Sequence, residues 1–442
     1  MKQLIFILTL IAGCTALSSG SEIVAFGDAM LGQPDAGPCP TGGRGALSVV
    51  IEIPKDLAGD VTVSETGSLR QLTRSDEIML EAGEHRVLAR RITVAGETIG
   101  RAYSAVDDDQ RVCVRGGMRS EVRVTYELEP GSKKLWTVGG AATFHTASYA
   151  IDDLAKSGSP APATTIAGAA NRPSALAFDR EGRLWITDVT GKVLGYARGV
   201  LGSNLSSSNP DVLLEGDTLC AKTMPCGPQA LAFDANGDLW LALPDSVVRI
   251  EKSELSGLNQ PEIATRITGK SINRPRSIAF DVSGALWVGN GGDSSVVKFE
   301  ADRLTKDDSG VADRTLLGQV LGPVFSGLSS PTAMAFDVQG NLWVGYLAPN
   351  LVARYTLEDQ EKEGPVTPAL QLNVDAFAIV KGMAFDDAGN LWLTGQGKIT
   401  RMASSQLVLG SDPSRDAVEI TIEGFVEDIA FDPPAAETPL AR

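Results

Sequence analysis

All six tryptophans of the chain follow a leucine, and five of them end one repeated phrase, Ala-Phe-Asp-x-x-Gly-x-Leu-Trp. The phrase recurs at Phe178/Trp185, Phe233/Trp240, Phe280/Trp287, Phe336/Trp343 and Phe385/Trp392. Two half-copies remain: Leu135-Trp136 lacks a preceding Ala-Phe-Asp, and Ala430-Phe431-Asp432 near the C-terminus lacks a following Leu-Trp. Joined, they make a sixth repeat. A linear solenoid gives no reason to split one repeat between its ends. A closed ring does, because the last strand can complete the first sheet.

From Leu135 onward each unit has the same grammar. An apolar run such as Ser174-Ala-Leu-Ala-Phe178 turns through Asp179-x-x-Gly182 into Leu184-Trp-Ile-Thr187, and a third run follows. The third runs end at Tyr149, Tyr196, Ile250, Phe299, Tyr355 and Met402. A polar connector then leads to a fourth run, such as Thr164-Thr-Ile166 or Arg314-Thr-Leu-Leu317. Four strands per unit and six units predict an all-β fold for residues 131–442: a six-bladed β-propeller whose ring is closed by the C-terminal strand. Small residues on one face of the inner strand suit a crowded axis, while Phe and Trp fill the widening space between units. The Asp after each Phe, present in all six copies, is expected to cap its hairpin backbone rather than to join a ring of calcium ligands.

The repeat resembles those of the NHL, gluconolactonase-like and streptogramin-lyase-like propellers, and the two-component-regulator propeller repeat with its Gly-x-Leu-Trp core. The resemblance covers residues 135–442 and implies the fold. It leaves function open, since these families include binders, scaffolds and enzymes.

Ahead of the ring, residues 44–130 hold short β-branched runs at 47–53, 61–63, 77–80, 85–92, 111–114 and 122–128, separated by Gly, Asp and Pro turns. They predict a small antiparallel β-sandwich. The segment Glu81-Ala-Gly-Glu-His-Arg-Val87 resembles PEGA and related transthyretin-like modules of bacterial envelope proteins. Residues 14–43, rich in Gly, Pro, Ser and Ala, read as a flexible tether.

The first 13 residues read as a signal peptide, with Lys2 followed by the apolar run Leu4 to Ile11, too short to span a bilayer. Ile11-Ala-Gly-Cys14 resembles the lipobox of bacterial lipoproteins, which implies that Cys14 is acylated and holds the protein to a lipid bilayer. Thr15, a non-acidic residue after that cysteine, implies the outer membrane. An ordinary signal peptide cut near Ser18 to Ser21 is the competing reading. Four cysteines follow Cys14, and in an exported chain they predict disulfides, Cys39 with Cys113 and Cys220 with Cys226 by proximity. Zinc competes for Cys220 and Cys226, but no histidine lies nearby. The net charge of -16 argues against nucleic acid, whose phosphates require clustered Lys and Arg.

Propeller ligands meet the loops entering the inner strand and leaving the second. Four residues before each Phe stand Ser174, Gln229, Arg276, Thr332, Lys381 and Glu427; three after each Trp stand Gly139, Asp188, Leu243, Asn290, Tyr346 and Gly395. Of these, Asp188, Arg276, Asn290, Tyr346, Lys381 and Glu427 are the candidate contacts for a small polar or peptidic ligand, or for an envelope protein. Phe-to-Phe spacings of 55, 47, 56, 49 and 46 place extra residues in Gly216 to Gly227 and Gly318 to Ser330, both expected to overhang that mouth.

Enzymatic readings find fewer residues. The gluconolactonase-like family holds a divalent metal through a Glu, an Asn and the Asp of a Pro-Asp-Gly phrase; here Pro173-Ser, Pro228-Gln, Pro275-Arg and Pro331-Thr carry no such Asp. The streptogramin-lyase type uses a histidine near its metal, and this chain has two, His85 in the sandwich and His145 in the connection after Leu135-Trp136. No cofactor, catalytic or metal phrase is complete. The expected function is therefore a membrane-anchored, non-catalytic binding or scaffold module. The alternative is a metal-assisted lactonase or lyase drawing on Asp188, Asn290, Glu427 and His145.

Overall fold

A hairpin of the repeated phrase shows why it needs both Asp and Trp. In a computed structural model of the chain, Asp281 Oδ1 accepts the N–H groups of Ser283 and Ala285, closing the turn, while Oδ2 accepts Trp287 Nε1–H at 2.9 Å. The same indole-to-carboxylate bond joins Trp185 to Asp179, Trp240 to Asp234, Trp343 to Asp337 and Trp392 to Asp386 at 2.8–3.0 Å. In the divided repeat Trp136 Nε1 faces Asp432 but finds no partner of normal hydrogen-bond geometry among the described residues. The expected backbone cap is thus present, and in these five repeats the aspartate also satisfies the one polar atom of a buried tryptophan, which would otherwise cost free energy.

The structure describes residues 39–55, 57–65, 68–89, 92–94, 101–107, 109–128, 133–140, 144–168, 170–205, 209–220, 226–319, 328–374, 380–409 and 416–432. The signal segment, Cys14 and most of the tether lie outside the described residues.

Four sheets repeat one order of inner, second, third and fourth strand, beginning at the inner strands Pro173–Phe178, Ala230–Phe233, Pro275–Phe280 and Ser329–Phe336. A six-stranded sheet joins the two remaining units. In it Leu391–Met402 pairs through Leu391 to Leu393 with the inner strand Met383–Phe385, and past Gly397 through Lys398 to Arg401 with Val418 to Thr421. Val418–Asp432 then crosses to Lys134–Gly140, with Leu135 opposite Phe431 and Trp136 opposite Ala430. The C-terminal strand is the inner strand of the first unit, as the divided phrase predicts.

Each tryptophan meets the phenylalanine of the next unit: Trp136 with Phe178, Trp185 with Phe233, Trp240 with Phe280, Trp287 with Phe336, and Trp343 with Phe385. The series returns on itself when Trp392 meets Phe431 at 5.9 Å. Ring centroids lie 5.5–6.4 Å apart, mostly edge to face, the arrangement the aromatic quadrupole favours. All six tryptophans are essentially fully buried. The ring is a β-propeller.

The N-terminal strands form two sheets over one core. Asp76–Glu81, Arg44–Glu52, Arg119–Leu128, Arg101–Ala105 and Ile92–Val94 make one; Ser68–Leu72, Val61–Glu65, Gly83–Ala89 and Asp109–Val114 make the other. Leu47, Val49 and Val124 from the first meet Val61, Val63, Val87 and Val114 from the second. The arrangement is not wholly antiparallel, because Arg44–Glu52 runs parallel to Arg119–Leu128. Ser68–Leu72 and Arg101–Ala105 carry no strand signal of their own; Val61–Glu65 and Arg119–Leu128 recruit them, context overriding propensity. The run at 85–92 is also divided, with Gly83–Ala89 and Ile92–Val94 in different sheets.

Both disulfides are formed as paired by proximity: Cys39 with Cys113, Cα atoms 5.6 Å apart, and Cys220 with Cys226, 4.7 Å apart. Neither of the latter two is left to bind zinc.

Candidate functional site

The entries to four inner strands carry a local irregularity that aims a side chain. Pro173 pairs with Asp188 and Ala175 with Thr187, so Ser174 is the extra residue of a β-bulge. Arg276 lies in the same way between Pro275 and Ser277, Thr332 between Pro331 and Ala333, and Glu427 between Val426 and Asp428. A bulge leaves its extra residue out of the ladder and re-aims it, and proline suits the site because no N–H is needed there. Arg274 at φ +52° and Ser330 at φ +54° precede two of these prolines in the left-handed region, so the backbone there is strained.

The four re-aimed residues converge with Gln229 and Lys381, which hold the same position in the other two units. Ser174, Gln229, Arg276, Thr332, Lys381 and Glu427 all line one open cavity of about 420 Å³, together with Arg172, Pro173, Val189 and Phe425. A narrower cavity of about 220 Å³ continues along the axis between the inner strands, sharing Ser174, Gln229, Arg276, Thr332 and Lys381 with the mouth.

Three of the six make their hydrogen bonds within the protein. Ser174 Oγ donates to Pro228 O at 2.7 Å and Thr332 Oγ1 to Val380 O at 2.7 Å, each tying its inner strand to the next. Gln229 Nε2 donates to Gly227 O at 3.1 Å. Lys381 Nζ and Glu427 Oε2 form an ion pair at 3.1 Å. Arg276 is exposed and, with Arg172, has no carboxylate or hydrogen-bond partner for its guanidinium among the described residues. Among the described residues the mouth therefore presents three cations against one carboxylate at its rim, in a chain of net charge -16.

Immediately below Glu427 the wall changes character. Three residues before each Phe stand Ala175, Ala230, Ser277, Ala333 and Gly382, all small, and in the sixth unit Asp428. Asp428 Oδ2 accepts Leu176 N–H at 3.1 Å and Oδ1 accepts Ile429 N–H at 2.9 Å. Gly382 leaves the space it needs, since a Cβ there would stand 2.6 Å from Oδ1. Burial pushes the Asp428 carboxyl up to about 7; the two backbone N–H groups pull it down and the neighbouring Glu427 adds to the rise. The residue keeps partial access, through the axial cavity it lines.

The set leaving the second strand behaves differently. Asp188 is buried: Oδ2 accepts Asn171 and Arg172 N–H, and Oδ1 accepts Thr190 N–H and its hydroxyl. Asn290 is buried too, accepting from Asn273 N and donating to Ser271 O and Ser295 Oγ. Tyr346 lies in the core with its hydroxyl 2.9 Å from that of Tyr355. None of these three, expected on the ligand face, lines the cavity at the mouth. The register of Trp plus three assumed unbroken alternation, and the bulges opposite place these residues across from the proline rather than across from the mouth-facing residue. Gly139 stays a glycine for a different reason, because a Cβ there would collide with Phe425 O.

Of the residues named for the metal-assisted reading, three are bonded within the protein. Asp188 and Asn290 are occupied, Glu427 pairs with Lys381, and no three His, Cys, Asp or Glu side chains converge among the described residues. His145 lies within the strand Phe144–Ala150, with its backbone opposite Gly139, rather than in a loop. His85 is held between Ser64 O and Glu81 O in the sandwich. Gly227, just past Cys226, borders the mouth, its N–H donating to Val189 O; residues 221–225 and 320–327 of the two long connections lie outside the described residues.

Register counted from Phe and Trp does not select Arg172, Phe425 or Asp428, although Asp428 adjoins Glu427 as a possible oxygen donor. Asp428 was readable, as the one charged residue at a position that is otherwise small. Arg172 and Phe425 were not, because both belong to connectors whose path no periodicity fixes.

No family model matches the sequence, and no curated protein matches it. Solved structures do. A streptogramin B lyase aligns over 66% of this chain and 75% of its own, with 14% identity and a TM-score of 0.38. A protein of unknown function from Bacteroides caccae aligns over 68% of this chain and 99% of its own, with 13% identity and a TM-score of 0.46. Virginiamycin B lyase from Staphylococcus aureus aligns over 66% and 87%, with 13% identity and a TM-score of 0.39. At such identities the likeness concerns the fold, and function has to be argued from the site.

Proposed function

We propose that the chain is an exported protein, anchored to the outer membrane through acylated Cys14, whose six-bladed propeller holds a ligand or envelope partner at its mouth without transforming it. The observation that carries this reading is the convergence of one side chain from each inner strand on a single open cavity, while Asp188 and Asn290 are consumed by turns. A rigid closed ring with one polar concave end suits recognition, since loops and bulges vary while the aromatic ring packing holds. The two disulfides fit an oxidising compartment outside the cytosol.

Two measurements test it. Cys14→Ser is expected to move the protein from the membrane fraction to the soluble fraction; unchanged partitioning overturns the anchor. Elemental analysis of purified protein is expected to find no stoichiometric divalent ion, with melting insensitive to chelator. A tightly held ion whose removal lowers the melting temperature contradicts the non-catalytic reading and favours metal-assisted chemistry.

A further inference from the structure

The mouth is cationic in a protein where carboxylates outnumber basic side chains 55 to 39. With that excess, most cations can find a carboxylate, as Lys192 does with Glu215 and Arg303 with Asp308 and Asp313. Arg172 and Arg276 line a concave site and have none among the described residues. Arg276 is also positioned: its side chain lies across the bare backbone of Gly291, where a Cβ would stand 2.5 Å from Nε. The bulge at Arg276 and the strained Arg274 before it add local structure that a freely solvated arginine does not require.

The two acids nearby do not cancel this charge. Glu427 is neutralised by Lys381, and burial holds the Asp428 carboxyl up to about 7, so it carries a reduced charge near neutrality. Beside the arginines, Phe425 leaves 44% of its surface exposed at the rim, next to Pro173 and Val189. A planar guanidinium matches an oxyanion through parallel N–H donors, and an exposed ring offers a flat apolar surface to whatever carries that anion.

Building on the mouth as the binding site, we infer that it takes an oxyanion attached to an apolar group, the anion held by Arg172 and Arg276 and the apolar group against Phe425. A low-dielectric concave wall focuses the field of the two guanidiniums, so a small anion is drawn to this spot although the protein as a whole repels it. Carboxylate and phosphate share the required chemistry.

Calorimetric titration of the full chain with four probes tests the assignment: N-acetyl-phenylalanine, its neutral amide, phenyl phosphate and the cationic phenylalaninamide. Binding is expected for N-acetyl-phenylalanine or phenyl phosphate, and the tighter of the two names the oxyanion. Removing its charge, as in the amide, is expected to weaken binding roughly ten- to hundred-fold, the loss of a charge-assisted contact. Arg172→Gln and Arg276→Gln should each weaken it to a similar extent while melting like the parent. Gly291→Ala, which keeps every charge but displaces Arg276, should weaken it as well. Equal affinity for acid and amide overturns the inference, as does full binding by the Arg276→Gln variant or no binding by either anionic probe. If phenylalaninamide alone binds, the oxyanion assignment fails while the mouth stands as a binding site.

Discussion

Trp287 Nε1 donates to Asp281 Oδ2 at 2.9 Å, six residues back along the same hairpin, and the other oxygen of that carboxylate closes the turn between them. One side chain thus fixes the hairpin and orients the ring that the next unit's Phe336 packs against. The repeated phrase is a small hydrogen-bonded device, and its residues cannot be exchanged independently.

Asp281→Ala is expected to destabilise the protein by about 2–4 kcal/mol, because it removes charge-assisted bonds and strands a buried indole N–H. Asp432→Ala, at the position where the indole bond is not formed, should cost less. Urea unfolding with an unchanged denaturant slope checks the ordering; equal losses would show that the indole bond contributes nothing.

Asp428 gives stability a pH signature. Its folded carboxyl is pushed up from the ordinary value of 3.8 to about 7, so between those values the folded state holds a proton that the unfolded state has released. Stability from this group is present at low pH and declines as pH rises through that window, to a limit on the order of 4 kcal/mol. Melting temperature is therefore expected to fall between pH 5 and pH 8, and in Asp428→Asn to change less over that range. A variant with the parent's full slope would assign the effect to another group.

Most of the ring was legible because its determinants are local and repeated: a turn glycine, a capping aspartate and two aromatic residues at fixed spacing. The division of one repeat between Trp136 and Phe431 even revealed the topology. What stayed hidden was the mouth's fine structure. A bulge at Ser174, Arg276, Thr332 or Glu427 adds one residue to one strand only, so alternation counted from Trp no longer matches alternation counted from Phe. Counting back from Phe found the residues that face the mouth. Counting forward from Trp found Asp188, Asn290 and Tyr346, which serve the scaffold. In the sandwich, Ser68–Leu72 and Arg101–Ala105 owe their form to neighbours rather than to their own residues.

The Cys39–Cys113 bond closes a loop across a sequence separation of 74 and ties the chain's entry to the sandwich. Replacing both cysteines with serine is expected to cost up to about 4.5 kcal/mol on the chain-entropy account. Because the sandwich core draws on residues between Leu47 and Tyr126 alone, only its calorimetric transition should shift. A propeller transition that moves equally would show that the two units unfold together.

Closure of the ring supports the mouth, the axial cavity and every residue assigned to them. Lys134 lies opposite Asp432 where the first and last strands of the propeller pair. Cysteines placed at both positions should form a disulfide on mild oxidation, since paired strands hold Cα atoms about 4.5–5.5 Å apart, within disulfide reach. Mass spectrometry of a non-reduced digest is expected to find the peptides around 134 and 432 joined within one chain. Two free thiols in folded, monomeric protein would mean that the C-terminal strand lies elsewhere, and the closed propeller would be wrong.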